Sequence, residues 1–119
     1  MMRFENIVEI ARDPRVVYTY LADLEHTPEW NWAIASTRKV TPGPVGVGTR
    51  YRQTREVPRP AVEMLELTGL DPDRTVEVEG SIGAFRARVT YELEPTAHGT
   101  RLTNRVELYP RVPLGPLAG

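Results

Sequence analysis

Two alternating runs near the end of the chain constrain its fold more than any other feature. Phe85, Ala87, Val89, Tyr91 and Leu93 alternate with Arg86, Arg88, Thr90, Glu92 and Glu94. Leu102, Asn104, Val106 and Leu108 alternate with Arg101, Thr103, Arg105 and Glu107. Successive side chains of a strand point to opposite faces, so each run has one apolar side and one charged side. With Thr96 to Gly99 as a four-residue loop, a single antiparallel register sets Glu94 opposite Arg101, Arg88 opposite Glu107 and Leu93 opposite Leu102. Charge and apolar matching agree on that register, and a one-residue slip would invert every side chain. The hairpin therefore belongs to a sheet with one buried and one wet face.

The rest of the chain reads in the same way. Residues 4 to 11 alternate and carry Ile7, Val8 and Ile10, a first strand. Asp13-Pro14 is an N-cap followed by proline at the first helical position, and Val16, Val17, Tyr20 and Leu21 keep helical spacing, so residues 14 to 22 form a short amphipathic helix. Thr27-Pro28 repeats the cap-plus-proline signal and predicts a second short helix carrying Trp30. From there the chain is strands and turns, with strands over 33–40, 48–57, 61–70, 74–81, 85–94 and 100–109. Six hairpin-like links without crossover helices among them predict an antiparallel meander.

Parity carries specific residues to the inner face. Pairing Leu67 with Val78, and Leu65 with the region of Gly80, leaves Glu66 and Glu79 facing each other outside. It sends Glu63 inward, together with Tyr51, Gln53 and Arg55 of the preceding strand. The apolar inner face is thus interrupted by Tyr51, Gln53, Arg55, Glu63, Tyr91 and Asn104. Unpaired buried polar groups cost about 1–3 kcal/mol each, so such a set suits a small-molecule pocket with a few orienting groups. The alternative is that they satisfy one another, for instance Arg55 with Glu63, or sit at wet strand ends. Trp30 either lines a pocket mouth or anchors its helix to the sheet, and the same two readings hold for Trp32, beyond the helix. Leu65 and Phe85 complete the candidate ligand-binding set of Trp30, Trp32, Tyr51, Gln53, Arg55, Glu63, Leu65, Phe85, Tyr91 and Asn104.

Composition removes several classes of function. A chain of 119 residues is one domain, residues 1–119, long enough to bury roughly two-thirds of its unfolded surface. Its 40% hydrophobic and 26% charged content is that of a globular protein. No apolar run approaches the roughly 20 residues of a membrane span, and the start lacks a signal-peptide apolar region, so a cytoplasmic location is expected. Without cysteine there is no thiolate metal site and no cysteine nucleophile. Scattered basic residues and a net charge of −1 leave no stripe for nucleic acid. His26 and His98 fall in loops at no metal-ligand spacing, so neither metal nor cofactor is expected. The run from Gly43 to Gly48 has neither lysine nor helix after it, so it reads as a turn that could gate entry, not as a phosphate cradle. Glu63 with Tyr51 or Tyr91 is the one acid/base set the residues permit, and no catalytic residue is assigned.

The series Val8-Glu9-Ile10, Asp13-Pro14, Val17-Tyr18, Leu21-Ala22-Asp23 and Pro28-Glu29-Trp30-Asn31 resembles the polyketide cyclase/dehydrase family of the START-like (SRPBCC) superfamily. So do Thr41 to Tyr51, Tyr91-Glu92-Leu93-Glu94-Pro95 and Gly99 to Thr103, and the likeness spans nearly the whole chain. The resemblance implies an α+β helix-grip (START/Bet v 1-like) fold: a seven-stranded antiparallel curved sheet, two short helices after the first strand, and a long C-terminal helix closing a cavity. Here Pro113, Gly115, Pro116 and Gly119 replace that helix, which reads as truncated or absent. An uncovered inner face would favour a homodimer if 119 residues is the natural length. The resemblance implies binding of a hydrophobic or aromatic small molecule (lipid, quinone or polyketide-like). The alternatives are a cyclase or dehydratase, with Gln53 or Arg55 polarising a carbonyl, and a co-chaperone-like interaction module.

Overall fold

The computed structural model describes residues 1–82 and 85–110. Seven strands form one antiparallel sheet in the order β1-β7-β6-β5-β4-β3-β2. They are β1 (Met2–Ile10), β2 (Ile34–Lys39), β3 (Arg50–Arg55), β4 (Ala61–Asp71), β5 (Thr75–Ile82), β6 (Phe85–Thr96) and β7 (Gly99–Pro110). Two short helices, α1 (Pro14–Ala22) and the 3-10 helix η1 (Leu24–Glu29), lie between β1 and β2. This is the curved seven-stranded sheet with two short helices that the sequence predicts. The expectation about a C-terminal helix falls on residues 111–119, outside the described residues.

The β6–β7 register is the predicted one: Glu94 opposes Arg101, Arg88 opposes Glu107 and Leu93 opposes Leu102. The connection is tighter than expected, because Thr96 and Gly99 themselves pair and leave only Ala97 and His98 in the turn. Gly99 suits that corner, since a Cβ there would stand 2.1 Å from the Ile10 carbonyl oxygen. Leu67 opposes Val78 and Leu65 opposes Gly80, again as read from parity. A side chain at Gly80 would meet the Leu65 side chain at 2.5 Å and the Met64 carbonyl at 2.7 Å, so only glycine lets β4 pass there. Glu66 and Glu79 do face each other, and arginines on neighbouring strands relieve the repulsion: Arg50 reaches Glu66 at 3.2 Å and Arg88 reaches Glu79 at 3.6 Å.

Two readings need correction. Only the links among β2 to β7 are hairpins; β1 leaves its neighbour in sequence and pairs with β7, from Met2↔Leu108 to Ile10↔Thr100. The length taken up by α1 and η1 allows β1 and β2 to become opposite edges of the sheet. The second helix starts three residues earlier than Thr27, because the Asp23 carboxylate accepts the Glu25 amide at 3.1 Å and caps it first. Pro28 therefore lies inside a 3-10 turn, and Trp30 is its C-cap.

Helix α1 begins as predicted, with the Asp13 carboxylate accepting the Arg15 amide at 2.8 Å and Pro14 in the first turn. Its Val17, Leu21 and Ala22 face the sheet and meet Leu24 of η1. They bury Tyr51, Leu67, Val76, Val78, Leu93 and Leu102 in one core. Each fully buried side chain of this size contributes roughly 1.5–3 kcal/mol. The helices cover only one end of the concave face. Further along, Phe4 and Val8 of β1 remain about half exposed.

Candidate functional site

Between the helices and the sheet the concave face encloses two lobes. The larger, about 680 Å³, lies under α1 against β1, β7 and β6, where Val8, Ile10, Val17, Leu21 and Leu102 make its apolar wall. The smaller, about 100 Å³, lies under η1 against β3 to β6 and is lined by Leu24, Ile34, Leu65, Val78 and Val89, among others. Trp30 and Tyr91 line both lobes. The larger volume is within the roughly 300–1,000 Å³ of small-molecule sites. A hollow of about 530 Å³ on the convex face differs in kind: its Arg50, Glu66, Glu79 and Arg86 pair with one another as a wetted surface.

The ten residues singled out from sequence separate into groups. Trp30, Tyr91 and Asn104 line the larger lobe; Trp30, Gln53, Arg55, Leu65 and Tyr91 line the smaller. Tyr51 and Glu63 point inward as parity requires but are buried behind the lobes and line neither. Phe85, paired with Ile82 and Pro110 at the far end of the sheet, also lines neither lobe. Trp32 is 80% exposed and turned to solvent, because η1 ends at Glu29 with Trp30 as its cap and the chain turns away toward β2.

Four inner polar side chains of β2 to β4 satisfy one another. Thr37 donates its hydroxyl to Gln53 Oε1 at 3.2 Å, and Gln53 Nε2 donates to Glu63 Oε1 at 3.0 Å. Arg55 Nε donates to the other oxygen of Glu63 at 2.9 Å. Gln53, Arg55 and Glu63 therefore pair among themselves, the alternative offered by the sequence for this part of the set. With both oxygens engaged and no opening to the lobes, Glu63 is not presented as a general acid or base.

Two polar atoms on the inner face have no such partner. Tyr51 Oη and Asn104 Oδ1 are buried without a hydrogen bond among the described residues. Burial, and next the Asp23 carboxylate, pushes the Tyr51 phenol up to about 12; the Leu24 amide, near it but outside hydrogen-bonding geometry, offsets part of that. Burial likewise raises the Tyr91 phenol well above its ordinary value. Tyr51 is sealed in the core, whereas Asn104 stands on the wall of the larger lobe.

Several lining residues escaped the sequence reading. Asn6, Val8 and Ile10 enter the site only because β1 pairs with β7, where Asn6 opposes Asn104 and Val8 opposes Leu102. Adjacent Ile7 and Val8 hide the parity of β1, so the signal appears only through its partner. Arg12, Val16 and Tyr20 line the mouth. His26, expected in a loop, is part of η1 and stacks on Tyr20 at 4.3 Å. Both bond to Glu29, Tyr20 Oη at 2.8 Å and His26 Nδ1 at 3.1 Å. The His26 contact, then that of Tyr20, holds the Glu29 carboxyl below its usual range. The Gly43–Gly48 turn lines neither lobe; Gly48 donates to the Leu67 carbonyl at 2.8 Å, and Lys39 Nζ bonds the Thr41 and Gly43 carbonyls. It is thus tied to β4 and stands outside the lining of both lobes. Among the described residues no cluster of His, Asp and Glu could hold a metal ion. No helix there is long and apolar enough to cross a membrane.

A family model described as polyketide cyclase / dehydrase and lipid transport matches residues 1–119. A search of curated proteins finds no match. Among solved structures, the chain is similar to an aromatase/cyclase from Streptomyces sp. R1128, at TM-score 0.78 and 14% identity over 94% of this chain and 70% of that one. A START superfamily protein from Mycobacterium smegmatis gives TM-score 0.75 and 17% identity, over 98% and 83% of the two chains. A major latex-like protein from Panax ginseng gives 0.76 and 12%, over 94% and 81%. At these identities the likeness is one of fold, and it is the helix-grip fold.

Proposed function

The chain belongs to the polyketide cyclase/dehydrase and lipid-transport family, and on that premise we propose that it binds a small, largely apolar molecule bearing a hydrogen-bond donor. The site is the larger lobe, and the observation that carries the reading is Asn104 Oδ1, a buried acceptor without a partner beside the apolar stretch of the wall made by Val8, Ile10 and Leu102. A protein interior that served packing alone would gain about 1–3 kcal/mol by removing such a group. A turn of the Asn104 amide presents this acceptor to the lobe, where a ligand hydroxyl or N–H satisfies it. The Tyr91 and Trp30 rings at one end of the lobe favour a flat or aromatic body. A cysteine-free chain suits a reducing compartment, so binding is assigned to the cytoplasm.

The test compares 2-naphthol with 2-methoxynaphthalene, which has nearly the same shape and no donor. Calorimetric titration should give saturable binding of both, with 2-naphthol about tenfold tighter. If neither binds, and the protein also purifies free of any small molecule by native mass spectrometry, the binding reading fails. A cyclase or dehydratase function draws less support. Glu63 is held by Gln53 and Arg55 and Tyr51 is sealed from the lobes, which leaves Tyr91 as the one member of the permitted acid/base set on a lobe wall, without its carboxylate partner.

A further inference from the structure

The two edges of the sheet are built differently. The β2 edge is six residues long, bulged between Ile34 and Ser36, ends in Lys39, and is tied to η1 through the Lys39 amide and the Glu25 carboxylate at 2.9 Å. Short length, a bulge and a lysine are the usual means of protecting an edge from further pairing. The β1 edge has none of them. It runs nine residues in unbroken register with β7, with no proline, lysine or bulge, and no strand among the described residues lies on its other side.

The side chains of β1 indicate what would pair with it. Two copies related by a two-fold axis perpendicular to the sheet must pair residues of the same face. With the axis at Asn6, Met2 stands opposite Ile10, Phe4 opposite Val8 and Asn6 opposite its own copy on the concave side. On the convex side Arg3 stands opposite Glu9 and Glu5 opposite Ile7. Arg3 opposes Glu107 on β7 but makes no ion pair within 4.0 Å among the described residues, and this pairing adds Glu9, which also holds Arg101, on its other side. The neighbouring registers are worse. An axis at Glu5 sets that carboxylate against itself and Phe4 against Asn6, and an axis at Ile7 sets Glu5 against Glu9. Like charges directly opposite are destabilising.

We propose that β1 pairs with β1 of a second copy of this chain about an axis at Asn6, joining two sheets into one. Phe4, Val8 and Ile7, all about half exposed in the single chain, are then partly covered. Because Asn6 and Val8 line the larger lobe, the partner subunit's Phe4 lies beside Val8 at its rim, and the binding site becomes continuous across the axis. One strand seam is smaller than the roughly 1,600 Å² of a standard interface, so the association is weak and concentration-dependent.

The chain has no cysteine, so Asn6→Cys introduces its only thiol, on the axis itself. Opposed Cα atoms in an antiparallel pair are about 4.5–5.5 Å apart, inside the range a disulfide can bridge. Val8→Cys is the control, since its own copy is displaced by four residues, about 13 Å along the strand, beyond bridging. Sedimentation of the wild type should move from one to two chain masses between micromolar and millimolar concentration. Mild oxidation should convert Asn6→Cys to a covalent dimer at least tenfold faster than Val8→Cys. If Asn6→Cys loses its circular-dichroism signature, Arg3→Glu on the exposed convex face substitutes. It sets an acidic group against the partner's Glu9 and against Glu107 of its own β7, so the variant is used once its circular dichroism matches the wild type, and it should weaken dimerisation about tenfold. A wild type that stays monomeric to millimolar concentration overturns the proposal. So does equal cross-linking of the two cysteine variants, or a dimer unaffected by Arg3→Glu, which would indicate another register or a different surface.

Discussion

The Trp30 ring meets the Tyr91 ring edge to face, with centroids 6.1 Å apart and planes at 85°. Both rings border both lobes, so this contact is the partition between them. Trp30 reaches it from the end of η1, and Tyr91 from the middle of the sheet, where it opposes Asn104 on β7. A ligand in the larger lobe therefore touches the one tryptophan that also holds η1 against the sheet.

That placement separates the two tryptophans by their optical response. In Trp32→Phe, the remaining Trp30 emission should shift to the blue and change intensity as 2-naphthol or a similar ligand saturates. In Trp30→Phe, the remaining Trp32, 80% exposed, should emit as a solvated indole and leave its wavelength unchanged. Titration of both variants decides the matter; a ligand-dependent shift in Trp32 alone would remove Trp30 from the site.

The Thr37–Gln53–Glu63–Arg55 chain is structural, which predicts effects on stability and not on binding. Glu63→Ala leaves the Arg55 and Gln53 donors buried without an acceptor. Removing one partner of a buried pair costs about 3–5 kcal/mol. Urea unfolding should show a loss of that order, and Glu63→Gln, which keeps one acceptor, should lose less. Affinity at the larger lobe should change less than threefold in whichever variant folds, because neither residue lines it.

The division between legible and hidden follows the range of the interactions. Local alternation and cross-strand charge matching made the β6–β7 and β4–β5 registers readable, since each strand carries its own parity and its partner follows next in sequence. From those registers the inward turn of Tyr51, Gln53 and Glu63 followed. Whether such groups open to a cavity or close on one another depends on helix placement, which parity does not contain. Asp23, as the earlier cap, moved η1 and with it Trp30 and Trp32. The β1–β7 pairing joins residues about a hundred positions apart, so Asn6 and Val8 could not be seen as neighbours of Asn104 and Leu102.

Tyr51 gives a prediction about pH. Its phenol is raised by burial up to about 12, whereas in the unfolded chain it ionises near 10. A group raised in the folded state contributes its stability in full below the unfolded value and loses it as pH rises through the folded one. Stability should therefore fall between about pH 10 and pH 12. Tyr51→Phe removes a buried hydroxyl without a partner, so it should be as stable as the wild type at pH 7 or more so, by up to about 1–2 kcal/mol. It should also lose part of the alkaline decline, leaving the share due to Tyr91 and the other raised phenols, Tyr18 and Tyr20. Thermal unfolding of both proteins from pH 8 to 12 measures this; identical alkaline profiles would show that the buried phenol contributes nothing.

Asn104→Leu is the decisive substitution for the ligand. Asn104 shares the wall of the larger lobe with Val8, Leu102 and Tyr91, and its Oδ1 has nothing to accept from. Leucine of similar size keeps the wall and removes the acceptor. The variant should be at least as stable as the wild type in urea, since the group it removes gains nothing from its surroundings. The tenfold preference for 2-naphthol over 2-methoxynaphthalene should disappear, chiefly through weaker naphthol binding, while the methoxy compound binds as before or better. A preference that survives in Asn104→Leu would assign recognition of the donor to another group on the wall, such as Asn6, which opposes Asn104 across the β1–β7 pairing.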